Sequence, residues 1–231
     1  MKTLGIIGGI GPESTIDYYR LIIASYRQQK GDGSYPAIII NSVDLNKLVD
    51  LITANELDAI TEYLVGEIDK LAKAGADFAV LASNTPHIVF DEIERRSTIP
   101  LISIVEAACQ RVQALGMKRV GLFGTRFTMQ GSFYPQVFSR SRVELFVPDE
   151  IDQTYIHEKY MGELLKDVFL PETRQRLLAI ADELKAYHAI EGLILGGTEL
   201  PLLLRDEEHN GVRLLNTTQI HVERIVKALL V

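Results

Sequence analysis

The sequence predicts an α/β fold of two pseudo-symmetric lobes, each with a parallel sheet flanked by helices. Three observations predict it. Short apolar runs rich in Ile, Val and Leu recur along the 231-residue chain, longer stretches with helical spacing separate them, and two pairs of segments look alike. Continuous rather than alternating apolar character marks strands buried on both faces, as in a parallel sheet. Strands alternating with helices build a doubly wound architecture.

The apolar runs lie at 4–8, 37–42, 78–82, 101–105, 120–124, 144–147 and 193–196, and helical spacing is found at 13–29, 56–74, 106–115, 156–168 and 172–188. The first strand ends in Gly8-Gly9-Ile10-Gly11-Pro12. Glycines permit a tight turn there, and proline suits the first helical position. The run at 78–82 leads into Ser83-Asn84-Thr85-Pro86-His87, where Thr85 is expected to cap a helix that begins at Pro86. The run at 120–124 leads into Gly124-Thr125-Arg126-Phe127-Thr128-Met129, and that at 193–196 into Gly196-Gly197-Thr198-Glu199-Leu200-Pro201. Hydroxyls and backbone N–H groups thus collect at strand ends, where open α/β sheets bind their ligands.

The look-alike pairs divide the chain. Lys2-Thr3-Leu4-Gly5-Ile6-Ile7-Gly8-Gly9 resembles Lys118-Arg119-Val120-Gly121-Leu122-Phe123-Gly124-Thr125. Phe78-Ala79-Val80-Leu81-Ala82-Ser83-Asn84-Thr85 resembles Gly192-Leu193-Ile194-Leu195-Gly196-Gly197-Thr198-Glu199 at nearly the same separation. The expected lobes are 1–100 with 210–231, and 101–209, with a site in the cleft between them.

Composition excludes several function classes. With 47% hydrophobic and 24% charged residues the chain is an ordinary globular one. A net charge of −7 with scattered Lys and Arg argues against a nucleic-acid partner, which needs clustered cations. No apolar stretch reaches membrane-spanning length. The apolar start is broken by glycines too soon for a signal peptide. Cys109 is the single cysteine, so no intrachain disulfide can form and a reducing, cytoplasmic setting is expected. Its place in a helical pattern reads as a buried structural thiol.

Cofactor signatures are missing. Ser14 stands where the dinucleotide fingerprint needs its third glycine, and no phosphate-binding loop sequence occurs. His157, His188, His209 and His221 lack metal-ligand spacing. Neither a cofactor nor a metal is expected.

Gly8-Gly9-Ile10-Gly11-Pro12, Ser83-Asn84-Thr85-Pro86-His87 and Gly196-Gly197-Thr198-Glu199 resemble, in order and register, the three signature loops of the aspartate/glutamate racemases. The resemblance extends over nearly the whole chain. It implies a two-lobed enzyme, often a homodimer, that inverts the α-carbon of acidic amino acids without pyridoxal phosphate. It further implies that Ile10, Asn84, Thr85, Thr125, Thr198 and Glu199 bind the substrate, an acidic amino acid or dicarboxylate, with His87 as an auxiliary group. The family pattern has a cysteine at each of two positions that here are Ser83 and Gly197.

Those departures bear on the chemistry. A cofactor-free racemase removes a proton on one face of the α-carbon and returns one on the other, so it needs two opposed acid/base groups. A thiol ionises near neutrality when its pKa is lowered, whereas a serine hydroxyl needs an adjacent base. Glycine offers nothing, so Gly197 marks the place of the missing second acid/base. Restoring a thiol there is expected to restore inversion. The alternatives are a non-catalytic carboxylate-binding homologue and a one-base lyase or decarboxylase.

Overall fold

The computed structural model describes residues 2–231. These form two compact units, one running to Ile104 and including His221–Val231, the other Val105–Ile220.

In the first unit the order is β1 (Thr3–Gly8), α1 (Pro12–Lys30), β2 (Ala37–Ser42), α2 (Leu45–Thr53), α3 (Leu57–Lys73), β3 (Phe78–Leu81), a 3₁₀ turn (Thr85–Val89) and α4 (Phe90–Arg96). The three strands form a parallel sheet in the order β2-β1-β3. Beyond Thr3, central β1 and its neighbour β3 are apolar and buried, whereas β2 at the edge is half exposed. Helix α1 starts as expected, with Gly11 at the cap position and Pro12 in its first turn. Asp44 caps α2 by accepting from the Asn46 and Lys47 N–H groups. Leu4, Ile6, Phe78 and Val80 of the sheet pack with Tyr18 and Ile22 of α1.

The run at 101–105 is not a full strand. Only Leu101 bridges to Ala79, in parallel, and helix begins at Ile104. Ser103-Ile104-Val105-Glu106 has the spacing of a capping box, a helix-start signal that overrides the β preference of the apolar run.

The second unit contains α5 (Ile104–Ala114), β4 (Arg119–Gly124), α6 (Arg126–Gln130), α7 (Phe133–Ser139), β5 (Glu144–Phe146), α8 (Glu150–Gly162), α9 (Pro171–His188), β6 (Gly192–Gly196), α10 (Leu200–Leu203), β7 (Glu208–His209), β8 (Val212–Asn216) and the start of α11 (Thr217–Leu229). Its sheet runs β5-β4-β6-β8-β7, with only β7 antiparallel to its neighbour. The helix expected over 156–168 begins earlier, because Asp149 accepts from the Asp152 N–H and caps α8. It also ends earlier, at a short 3₁₀ turn that closes on Asp167 in the left-handed region, φ 59°.

Strand β8 was not expected, and it moves the return to the first unit. The sequence places residues 210–220 in the first lobe, yet β8 pairs with β6 in the second sheet, so the crossing occurs within α11 at His221. The second half of α11 then packs Val222, Ile225, Val226 and Leu229 into the first core. The repeat read from the sequence is realised in the topology. The order β2-β1-β3 matches β5-β4-β6, with the look-alike segments at β1 and β4 and at β3 and β6. Among the described residues no helix is long and apolar enough to cross a membrane.

Candidate active site

In the first unit, neighbouring β1 and β3 bring two of the singled-out loops together at their carboxyl ends. The Ala82 N–H donates to the Ile7 carbonyl at 2.9 Å, continuing the ladder past β3. Ser14 Oγ then donates to the Ala82 carbonyl at 3.1 Å, tying the start of α1 to the residue before Ser83. Gly9 adopts φ +82°, and a side chain there would meet Val43 N at 2.8 Å. Only glycine fits both the left-handed backbone and the close approach. Ile10, Ser83 and Asn84 are buried, and Thr85 is half-buried.

Thr85 does not cap an α-helix. Asn84 holds the cap position of the 3₁₀ turn, whose His87 N–H donates to the Asn84 carbonyl at 3.0 Å. The α-helix is delayed to Phe90, so the segment offers a single tight turn where a long helix start was expected.

Two buried histidines support this end of the unit. His221 Nε2 lies 2.9 Å from the Ile102 carbonyl, and Nδ1 lies 2.8 Å from Tyr18 Oη. A carbonyl only accepts, so Nε2 carries the proton and Nδ1 accepts from the tyrosine. Burial pushes the His221 pKa down to about 4, against the opposing pull of the Ile102 carbonyl. His87 stacks on Phe90 at 4.8 Å, and its Nε2 accepts the Ile104 N–H at 3.3 Å. Burial, then the neighbouring His221, lowers its pKa to about 3. Nε2 of His87 is therefore already engaged by the Ile104 N–H. His221, which lacks metal-ligand spacing in the sequence, is a fully buried packing residue.

In the second unit, paired strands β4 and β6 bring the other two loops together. Thr125 caps α6, its Oγ1 accepting from the Thr128 N–H at 3.3 Å. Thr198 Oγ1 donates to Glu199 Oε2 at 3.0 Å, and both residues are buried. Helix α8 projects two further groups onto this end, three residues apart and so on one helical face. His157 Nδ1 accepts the Arg126 N–H at 3.2 Å. Tyr160 donates its phenolic proton to Glu199 Oε2. Burial, then the Glu199 charge, holds the Tyr160 hydroxyl far above the ordinary phenol range, so it is protonated.

Gly197 is occupied in an unexpected way. A Cβ built on it would lie 2.8 Å from Tyr160 Oη and 2.9 Å from Cζ, and closer still to Cε2. The space a side chain at 197 would fill is already filled by the Tyr160 ring. A thiol cannot simply be restored there, contrary to expectation. Nothing in the sequence marks Tyr160 as a site residue except its place as a polar-tipped aromatic one helical turn beyond His157.

Cys109 behaves as expected of a structural thiol. It is buried on α5, its Sγ donates to Ser141 Oγ at 3.2 Å, and burial raises its pKa. Among the described residues no group of three His, Cys, Asp or Glu side chains could hold a metal ion.

Comparison with known proteins agrees with the loops. The family model of Asp/Glu/hydantoin racemase matches residues 7–225. A candidate Asp/Glu racemase from Yersinia pestis superposes with a TM-score of 0.91 at 31% identity over 100% of both chains. An aspartate racemase homologue from Pyrococcus horikoshii gives 0.83 at 29% identity, again over 100% of both. The broad-specificity amino-acid racemase RacX of Bacillus subtilis is 29% identical over 153 residues, which are 65% of this chain and 66% of RacX.

Proposed function

Since this chain belongs to the Asp/Glu/hydantoin racemase family, we propose that it inverts the α-carbon of an acidic amino acid by proton transfer between protein groups, without a cofactor. One observation carries the reading. Ser83-Asn84-Thr85 and Gly197-Thr198-Glu199 follow corresponding strands, β3 and β6, of the two repeated sheets. In this reading Asn84, Thr85, Thr125 and Thr198 hold the substrate carboxylates and Ile10 shapes the apolar side. The Ser83 hydroxyl is the acid/base on one face. The protein would act in the cytoplasm as a homodimer, which light scattering can check.

A second reading is favoured by Ser83 and Gly197 themselves, since neither position carries a group that ionises near neutrality. On it, the chain binds the same carboxylates without turning them over. Incubation with L- or D-aspartate and glutamate in D₂O separates the two. Exchange of the α-proton with inversion supports the isomerase, whereas binding with no exchange supports the carrier.

Binding itself gives a prediction that both readings share. A ligand present at 100 times its Kd stabilises the folded state by about 2.7 kcal/mol, so aspartate or glutamate should raise the Tm. Thr85→Val removes one hydroxyl donor at the half-buried turn and is expected to abolish most of that rise. A full rise in the folded variant would place the carboxylates elsewhere.

A further inference from the structure

We propose that Tyr160, hydrogen-bonded to Glu199, is the acid/base group on the face where position 197 lacks a side chain. This rests on the isomerase reading above and supplies what that reading leaves open, the second proton-transfer group.

The geometry is that of a replacement. The phenolic oxygen lies 2.8 Å from where a Cβ of residue 197 would stand, so a polar, proton-bearing atom occupies the region that a short side chain there would reach. The glycine is what makes room for it. Tyr160 comes from α8, a different element from the loop it serves. It passes beneath Gly197 to reach Glu199 and is hardly exposed, like Glu199 itself.

Packing alone does not explain this pair. Around Tyr160 the second core is built of Leu177, Leu193, Leu200 and other aliphatic residues. Replacing a buried polar pair by apolar side chains of similar volume is often neutral or stabilising, because desolvating a carboxylate costs several kcal/mol. A buried phenol and carboxylate at a strand end, beside Thr198, are retained for their chemistry at some expense in stability.

The transfer balances as a relay. The electron pair of the α-carbanion takes the phenolic proton and forms the new C–H bond. For this, Glu199, which stands here as the carboxylate accepting from Tyr160, first takes up a proton. In the same step as the C–H bond forms it returns that proton to the phenolic oxygen and is left as carboxylate again. In the opposite direction the phenolic oxygen takes the α-proton while passing its own to Glu199. The phenolate never accumulates, which matters because burial strongly disfavours it.

The test is Tyr160→Phe, which keeps the ring and removes only the hydroxyl. Each face of the site exchanges the α-proton of one enantiomer only. The variant should therefore lose α-proton exchange in D₂O with one enantiomer of the substrate and keep it with the other. Racemisation should fall by about 10²-fold or more, the usual scale for one positioned acid/base, with the ligand-induced rise in Tm unchanged. Should the Phe variant not fold, Glu199→Gln breaks the relay without removing the phenol and should show the same enantiomer-selective loss. A folded variant that racemises like the wild type, or loses exchange equally with both enantiomers, overturns the assignment. A wild type that binds these amino acids and exchanges neither enantiomer instead overturns the isomerase reading, and the relay falls with it.

Discussion

Lowering the pH from about 6.5 to about 4.5 is expected to remove on the order of 4 kcal/mol from the stability of the first unit. The cause is the pair of buried histidines. His221 is held down to about 4 and His87 to about 3 in the folded chain, while both titrate near 6.5 once unfolded. Above that value both states bind no proton at these sites, and the full stability is present. As the pH falls, the unfolded chain takes up protons that the folded chain refuses, so stability drops through the window from 6.5 towards 4 and 3. Each histidine contributes roughly 1 kcal/mol per pH unit in that range. Set against a typical total of about 5–15 kcal/mol, the loss is severe. Urea melts followed by circular dichroism at several pH values would measure it. His221→Gln should remove about half of the slope. A urea midpoint that does not move between neutrality and pH ~4.5 contradicts the burial-driven depression of both groups.

Gly197→Cys should destabilise the second unit rather than repair the site. Its Cβ would stand under 3 Å from the Tyr160 ring, a rigid side chain locked by packing and by its bond to Glu199. Overpacking of a well-filled core costs about 1–3 kcal/mol, and displacing a buried hydrogen-bonded phenol adds about 1–3 kcal/mol more. A fall of about 3 kcal/mol or more is the expected result, read from denaturant midpoints. The steric origin can be isolated with Tyr160→Ala, which empties the contested space. The double variant should then lose far less than the sum of its parts, with a coupling of about 1–3 kcal/mol. Additive losses would mean that the ring and residue 197 do not compete.

Much of this architecture was legible because parallel strands, buried on both faces, write themselves as unbroken apolar runs. The runs at 4–8, 120–124 and 193–196 lie in strands, and the likeness of 2–9 to 118–125 appears as two sheets with the same strand order. Strand β8 was hidden because Arg213 interrupts Val212 and Leu214, giving too little apolar length to register. The run at 101–105 misled for the opposite reason: its apolar residues are buried or half-buried, but Ser103 and Glu106 commit the backbone to a helix. The site was half legible. Loops that follow strands announced themselves through glycine, proline and hydroxyls. Tyr160 did not, because a tyrosine within a helix looks like any other core aromatic until the glycine it opposes is brought beneath it. The burial of His87 and His221 was not legible, because nothing in a sequence tells a solvated histidine from one enclosed on every side.

With serine and glycine at positions 83 and 197, the chain holds one thiol, Cys109, enclosed on α5 with its ionisation suppressed. Thiol reagents attack the thiolate, and only where they can reach it. Alkylation is therefore gated by the opening of α5, and its rate under native conditions reports the free energy of that excursion. The protein carries its own chemical clock for the breathing of its second half. No reactive catalytic cysteine contributes a competing signal.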